Sequence, residues 1–271
     1  MEGLSAHIDS LYAALPPEQR YAAAARDGFR CVETWASPAP ADVAWVLAEL
    51  QRYDLTLASV NTHAGPGPDD FGLLSDPASR SWWREEFDRT LDFARRADAR
   101  AINVLVGGRR TAITRARQIE CAEANLEWAL SLLSVDDPVL LVEPLNGADR
   151  RSPLVRDVED ARAIISALGS PAQLRLLFDA YHLYQEEDDL SAALRSAAEF
   201  VGHVQIADYP GRGEPGGGDI PFDTFLGELS RTGYSGWIGL EYFPSANGTP
   251  SFAWVADYAD LRESLVGAGE S

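Results

Sequence analysis

Eight short apolar runs rich in β-branched residues, each followed by a longer stretch with apolar residues at three- and four-residue spacing, predict a (β/α)8 (TIM) barrel. The length agrees, since such barrels reach about 250 residues as one α/β domain. No proline- or serine-rich linker, heptad array or short-period repeat divides the chain, so residues 1–271 are expected to form a single barrel domain.

In chain order the expected strands cover 4–8, 31–35, 56–61, 101–106, 139–144, 174–179, 203–207 and 237–241. The expected helices cover 17–28, 40–52, 79–98, 114–134, 154–168, 188–200, 221–232 and 250–266. Helix starts are signalled by Pro16-Pro17, Pro40 with Asp42, Ser79, Thr114, and Asp188 or Asp189, while Gly28, Gly202 and Gly233 stand where a strand should follow. Two connections exceed the usual length, 62–78 after the third strand and 208–220 after the seventh. Both leave the carboxyl ends of strands, the barrel face that carries active sites, which suits a lid or a substrate-gripping role.

Composition excludes several function classes. All 23 basic residues are arginine, so a lysine Schiff base, an internal pyridoxal-phosphate aldimine and a P-loop lysine are absent. A formal net charge of −19 argues against a nucleic-acid partner, whose binding requires a clustered basic surface. No run approaches the ~18 uninterrupted apolar residues of a membrane span. Met1-Glu2-Gly3-Leu4 has no basic segment followed by an apolar run, so a cytoplasmic location is expected. Cys31 and Cys121 cannot make a disulfide framework and are expected to be buried and inert. Oligomeric state is left open, with a homo-oligomer allowed.

Acidic residues close three of the last four strands. Glu143 ends Leu140-Leu141-Val142-Glu143, Asp179 ends Leu176-Leu177-Phe178-Asp179, and Glu241 ends Ile238-Gly239-Leu240-Glu241; in the seventh strand Gln205 stands at the equivalent height. Neighbouring strands of a closed barrel bring such residues together. Three carboxylates converging in a partly desolvated place must take up protons or surround a cation, and an all-oxygen set with one amide suits a single hard divalent ion, Mg²⁺ or Mn²⁺. The plainer alternative is that single acids cap the following helix or pair with arginines.

A family resemblance follows from these pieces. Val142-Glu143-Pro144-Leu145-Asn146, Asp179-Ala180-Tyr181-His182, His203-Val204-Gln205-Ile206-Ala207-Asp208, Pro210-Gly211-Arg212-Gly213-Glu214-Pro215, Gly218-Asp219-Ile220 and Gly236-Trp237-Ile238-Gly239-Leu240-Glu241-Tyr242 together resemble the hydroxypyruvate isomerase family of xylose-isomerase-like sugar isomerase and epimerase barrels. The resemblance extends upstream through Val32-Glu33, Asn61-Thr62 and Gly72-Leu73-Leu74. It implies that Glu143, Asp179, Gln205 and Glu241 hold the metal, with Glu143 and Glu241 as the proton-transfer pair. Related ketose epimerases usually carry histidine where this chain has Gln205, so the amide favours the isomerase branch. Departures at His7, His63 and Gly213 bear on substrate identity rather than on the metal ring.

The implied reaction interconverts hydroxypyruvate and tartronate semialdehyde (2-hydroxy-3-oxopropanoate), or a close small oxo-acid, through an enediolate. A ketose 3-epimerase or inosose dehydratase is the alternative on the same barrel, a non-catalytic sugar-acid-binding barrel a further one. An abasic-site endonuclease, also of this superfamily, would need a histidine-rich multi-zinc site and a basic face. Sequence leaves open which glutamate acts as base. His182, three residues past Asp179, is expected to reach a substrate oxygen, and Arg212, in the glycine-rich loop, is the natural clamp for a substrate carboxylate. His63 and Asn61 are softer candidates for substrate contact. Trp35 and Phe71 are candidate pocket walls, His203 reads as a core histidine, Asp208 should point away from the face of Gln205, and His7 and Glu33 receive no task. Trp82, Trp83 and Phe87 have helical spacing and should pack on the barrel.

Overall fold

Eight parallel strands close in sequence order in the computed structural model, which describes residues 2–244, 248–258 and Leu261. They are β1 (Gly3–His7), β2 (Cys31–Thr34), β3 (Thr56–Asn61), β4 (Ala101–Asn103), β5 (Val139–Val142), β6 (Leu174–Asp179), β7 (Val201–Ile206) and β8 (Trp237–Leu240). β1 pairs with β2 on one side and β8 on the other, which removes every sheet edge. The helices are α1 (Ile8–Leu11), α2 (Pro17–Arg26), α3 (Val43–Arg52), α4 (Arg80–Arg96), α5 (Arg115–Leu130), α6 (Val158–Ala167), α7 (Ala180–Tyr184), α8 (Leu190–Ala197) and α9 (Phe222–Arg231).

The apolar core lies between the strands and the ring of helices. Trp83 and Phe87 of α4 are fully buried there, their rings stacked at 5.3 Å, as the helical spacing requires. Inside the barrel, inward-facing Ser5, Glu33, Ser59, His203 and Gln205 are buried and polar. Cys31 and Cys121 are both buried and unpaired. No helix among the described residues is long and apolar enough to cross a membrane.

Side-chain caps set several helix starts. The side chains of Thr114, Asp157 and Asp189 accept from the backbone N–H groups of Arg117, Asp160 and Ala192, which otherwise have no partner in a first turn. Ser79 and Asp42 make no such bond. In place of Ser79, Asp76 caps a 3₁₀ turn, Pro77–Ser79, that leads into α4. Helices α1 and α7 were not expected, because four or five residues are too few to show a helical period. Of the expected helix over 250–266, Ala253–Asp257 forms a 3₁₀ turn, and residues 259–260 and 262–266 lie outside the described residues.

The long segment 62–78 is stitched to the end of β4. Gly72 bridges Val106, Ser75 N–H donates to the Val106 carbonyl, and the Thr62 hydroxyl accepts from Leu105 N–H at 3.0 Å. Gly72 and Gly107 meet backbone to backbone, at φ +135 and +89, and a Cβ on either would press into the other's main chain or that of Leu105. We therefore expect Gly107→Ala to lower the unfolding free energy by at least about 2 kcal/mol. Gly169→Ala, also at positive φ but with open space around its Cβ, should lose only about 1 kcal/mol. Urea denaturation of the two variants checks the difference.

Candidate active site

At the carboxyl end of the barrel, Glu143, His182, Arg212 and Glu241 line one cavity of about 230 Å³, walled by Trp35 and Phe71. Asp179 is nearly inaccessible and meets them from the interior: its Oδ2 is 3.6 Å from His182 Nε2 and 3.2 Å from Arg212 Nη2. Glu143 Oε1 is 3.9 Å from the same His182 nitrogen. One atom each of Glu143, Asp179 and His182 fall within 4.8 Å of one another. Gln205 is the register partner of Asp179 across the β6–β7 pair, so both side chains leave the strands at one level.

Strand ends explain this convergence, but Arg212 arrives differently. Buried Asp208 gathers the segment 209–220 around its carboxylate, accepting from the backbone N–H groups of Tyr209, Gly216, Gly218 and Ile220. Asp208 thus serves the loop rather than the Gln205 face, as strand alternation requires. Within that loop Arg212 adopts φ 55, a left-handed conformation costing a non-glycine residue roughly 1–2 kcal/mol. Its guanidinium reaches inward: Nε donates to the Glu241 carbonyl at 3.2 Å, Nη2 lies 3.1 Å from Glu241 Oε1, and the group stands over the Tyr181 ring. The expectation of Arg212 as a freely available clamp is therefore modified, because this guanidinium already neutralises protein carboxylates.

One guanidinium faces three carboxylates, and the deficit appears as proton affinity. Burial, then Glu241 and Asp179, push the Glu143 carboxyl up to about 8, against the hydrogen bond that Asn103 Nδ2 donates at 2.7 Å. Burial likewise pushes Asp179 up to about 7, although Arg212 opposes it. Burial and then Arg212 and Arg150 hold His182 well below the ordinary histidine range, so its imidazole is neutral at pH 7.

The proton on that neutral ring can be located. Asn146 backbone N–H points at His182 Nδ1 from 3.3 Å, and the Asn146 amide nitrogen approaches the same atom at 2.7 Å. The amide is oriented by Asp149, whose N–H donates to Asn146 Oδ1. Nδ1 is thus the acceptor and Nε2 carries the hydrogen. His182 thereby presents a hydrogen-bond donor to the cavity, not a lone pair for a metal.

Below the carboxylates lies a group that sequence reading left without a task. Glu33 is inaccessible to solvent; it accepts from Ser5 Oγ, Ser59 Oγ (3.2 Å) and Gln205 Nε2 (2.8 Å), and its Oε1 is 3.0 Å from His203 Nε2. Gly239 makes room for it, since a Cβ there would enter the Glu33 carboxylate. Burial acts to raise the Glu33 pKa, but His203, His7 and Ser5 outweigh it and hold the carboxyl down at about 2. Because Gln205 gives its NH₂ group to Glu33, its carbonyl oxygen is turned the other way, buried and without a partner among the described residues. His203 is buried, as expected of a core histidine, but it belongs to this network.

The structure does not bring His63 to the cavity. It is exposed, its Nδ1 accepts from Gly65 N–H at 3.0 Å, and its ring meets the Trp82 edge. Past the end of β3 the chain no longer alternates, so Asn61 and Ala64 reach the cavity while His63 turns onto the helix side. Trp35 and Phe71 wall the cavity as expected, and the Trp35 indole Nε1 also donates to Glu241 Oε1 at 2.7 Å. Asn103 and Arg150 also belong here, and neither stands in a sequence pattern that would have singled it out.

Comparison with known proteins fits this geometry. The model of the xylose isomerase-like TIM barrel family matches residues 21–263. A putative hydroxypyruvate isomerase of Streptomyces coelicolor is 37% identical over 263 residues, covering 92% of this chain and 94% of the relative. This chain is a member of the hydroxypyruvate isomerase family. A 2-oxo-tetronate isomerase of Cupriavidus necator is 31% identical to this isomerase, over 95% of this chain and 99% of the relative. Among solved structures, one titled AP endonuclease, family 2, from Brucella melitensis superposes with a TM-score of 0.88 at 26% identity, covering 95% and 99% of the two chains.

Two outcomes are expected of the isomerase in the absence of added metal. Glu143 and Asp179 have folded-state pKa values above their ordinary 4.5 and 3.8, so between about pH 4 and 8 the folded state holds protons that the unfolded state has released. Stability should fall as pH rises through that window, and denaturant midpoints measured at pH 5, 6, 7 and 8 check the slope. Glu33 has the opposite sign: its contribution is present above pH 4.5 and is lost as pH falls toward 2. Glu33→Leu, which leaves Ser5, Ser59, His203 and Gln205 Nε2 without their acceptor, should cost about 3–5 kcal/mol in the same assay at pH 7.

Proposed function

We propose that this isomerase interconverts hydroxypyruvate and tartronate semialdehyde, or a close small oxo-acid, in the cytoplasm. Proton transfer would run between Glu143 and Glu241 beside one divalent cation, Mg²⁺ or Mn²⁺, held by Glu143, Asp179, Gln205 and Glu241. The observation that carries this reading is the charge imbalance. Three buried carboxylates against one guanidinium leave two negative charges when all are ionised, and the partnerless Gln205 oxygen adds a neutral donor. The names of the relatives supply the substrate class.

When bound, the cation supplies fixed positive charge that stabilises negative charge developing on the substrate oxygens. The remaining tasks fall to the chain. The hydroxymethyl carbon loses a proton, the neighbouring carbonyl carbon gains one, and a hydroxyl proton moves to the former carbonyl oxygen, so no net oxidation occurs. Glu143, lining the cavity with its carboxylate held by the Asn103 amide, is placed to take the proton from one carbon and return it to its neighbour. Glu241 accepts from Trp35 and Arg212, which fix its orientation. His182, with its proton on Nε2, can donate to the substrate oxygen on which charge grows. Trp35 and Phe71 restrict water around the reacting carbons.

The endonuclease title borne by one structural neighbour finds little support here. Of the four histidines in the chain only His182 lines the cavity, and the net charge is −19.

Proton NMR of hydroxypyruvate with enzyme and Mn²⁺ or Mg²⁺ in D₂O tests the proposal. Aldehyde formation with deuterium entering the hydroxymethyl carbon is expected, and Glu143→Gln and Glu241→Gln should each slow it by about 10²–10⁴-fold. Turnover that persists undiminished after exhaustive chelation would remove the metal from the mechanism. Epimerised ketose in place of aldehyde would move the chain to the epimerase branch.

A further inference from the structure

The carboxylate of an oxo-acid needs a cation, and Arg212, the arginine nearest the reacting groups, is already engaged with Asp179 and Glu241. A second arginine lines the same cavity: Arg150, in the segment after β5. Its guanidinium makes no hydrogen bond or ion pair among the described residues, although its charge reaches the buried His182. Arg150 also faces an adjoining cavity of about 420 Å³, which shares Asp70 and Phe71 with the first. Arg109, Arg110 and Arg151 line it too.

Arg109, Arg150 and Arg151 have no side-chain partner among the described residues, whereas arginines elsewhere on this acidic surface pair with carboxylates again and again. The acids around the cavity are Asp69, Asp70 and Asp149, and two of them are occupied: Asp70 accepts from Gly67 N–H and faces Arg110, and Asp149 accepts from Asn146. The frame presenting the arginines is fixed. Gly108 bridges Pro153, Arg109 N–H donates to the Ser152 carbonyl at 2.8 Å, and Arg150 N–H donates to the carbonyl of Asn146, the residue that orients His182.

We propose that Arg150, supported by Arg109 and Arg151, is the anion subsite that binds the substrate carboxylate, with the reacting carbons lying between Glu143 and Glu241. This rests on the oxo-acid reading above. A guanidinium held beside a partly enclosed cavity can grip two carboxylate oxygens at once, and the outer cavity leaves room for acids longer than three carbons.

The test compares wild type, Arg150→Met, Arg150→Lys and, as a control at the far end of β4, Arg100→Met. Steady-state kinetics with hydroxypyruvate and calorimetric titration with inorganic phosphate are measured on each. Arg150→Met should raise KM at least about tenfold with kcat within about threefold of wild type, and should lose phosphate binding. Arg150→Lys should recover part of the KM, and Arg100→Met should match wild type. An unchanged KM in Arg150→Met overturns the subsite, as does a fall in kcat at constant KM. If wild type leaves hydroxypyruvate untouched, the oxo-acid reading fails and phosphate alone decides: binding that vanishes in Arg150→Met sustains the subsite, while equal binding, or none in either protein, overturns it.

Discussion

Three carboxylates are forced together at one end of a cylinder where, among the described residues, a single guanidinium, that of Arg212, pairs with them. Closure of the sheet sets this constraint, because β5 to β8 are hydrogen-bonded neighbours and the acids at or just past the ends of β5, β6 and β8 have nowhere else to go. Much else around the site answers to it. Arg212 is bent into a left-handed conformation to reach Asp179 and Glu241, a whole loop is wrapped on Asp208 to hold Arg212 there, and Asn103 and Trp35 each donate a hydrogen bond to an acid. Such concentrated electrostatic mismatch is characteristic of active sites rather than of structural ion pairs.

The layer beneath shows how a barrel interior can set the polarity of a functional group. An amide has a donor end and an acceptor end, and sequence alone says nothing about which one faces the cavity. Glu33 decides it by taking the NH₂ of Gln205, and Asn146 makes the corresponding decision for His182 by occupying Nδ1. In both cases a buried partner that touches no substrate selects the chemistry offered above it, the role such supporting groups play around metal and catalytic centres.

The strand ends were legible because acids closing apolar runs are conspicuous, and because barrel closure turns similar positions on successive strands into spatial neighbours. Glu143, Asp179 and Glu241 could be named on that basis, and His182 by its place three residues past Asp179. His63 misled because a histidine just past a strand looks like the others, yet the chain has already left the regular pleat and the ring turns toward Trp82. Arg150 and Asn103 escaped notice because neither lies in a periodic or motif-like setting; only the meeting of separate loops gives them a cavity to face.

The sequence by itself determined the barrel, its eight strands and the identity of the acids, because hydrophobic period and strand-terminal chemistry are local properties of the chain. It also excluded lysine chemistry outright. Tertiary structure alone decided which arginine is consumed by the carboxylates and which remains free, which way Gln205 and His182 point, and that Glu33 lies beneath them. Those outcomes depend on pairings across 33 to 206 positions of sequence, from Asp179–Arg212 outward to Trp35–Glu241, and on a shortage of countercharge that exists only once the barrel has closed.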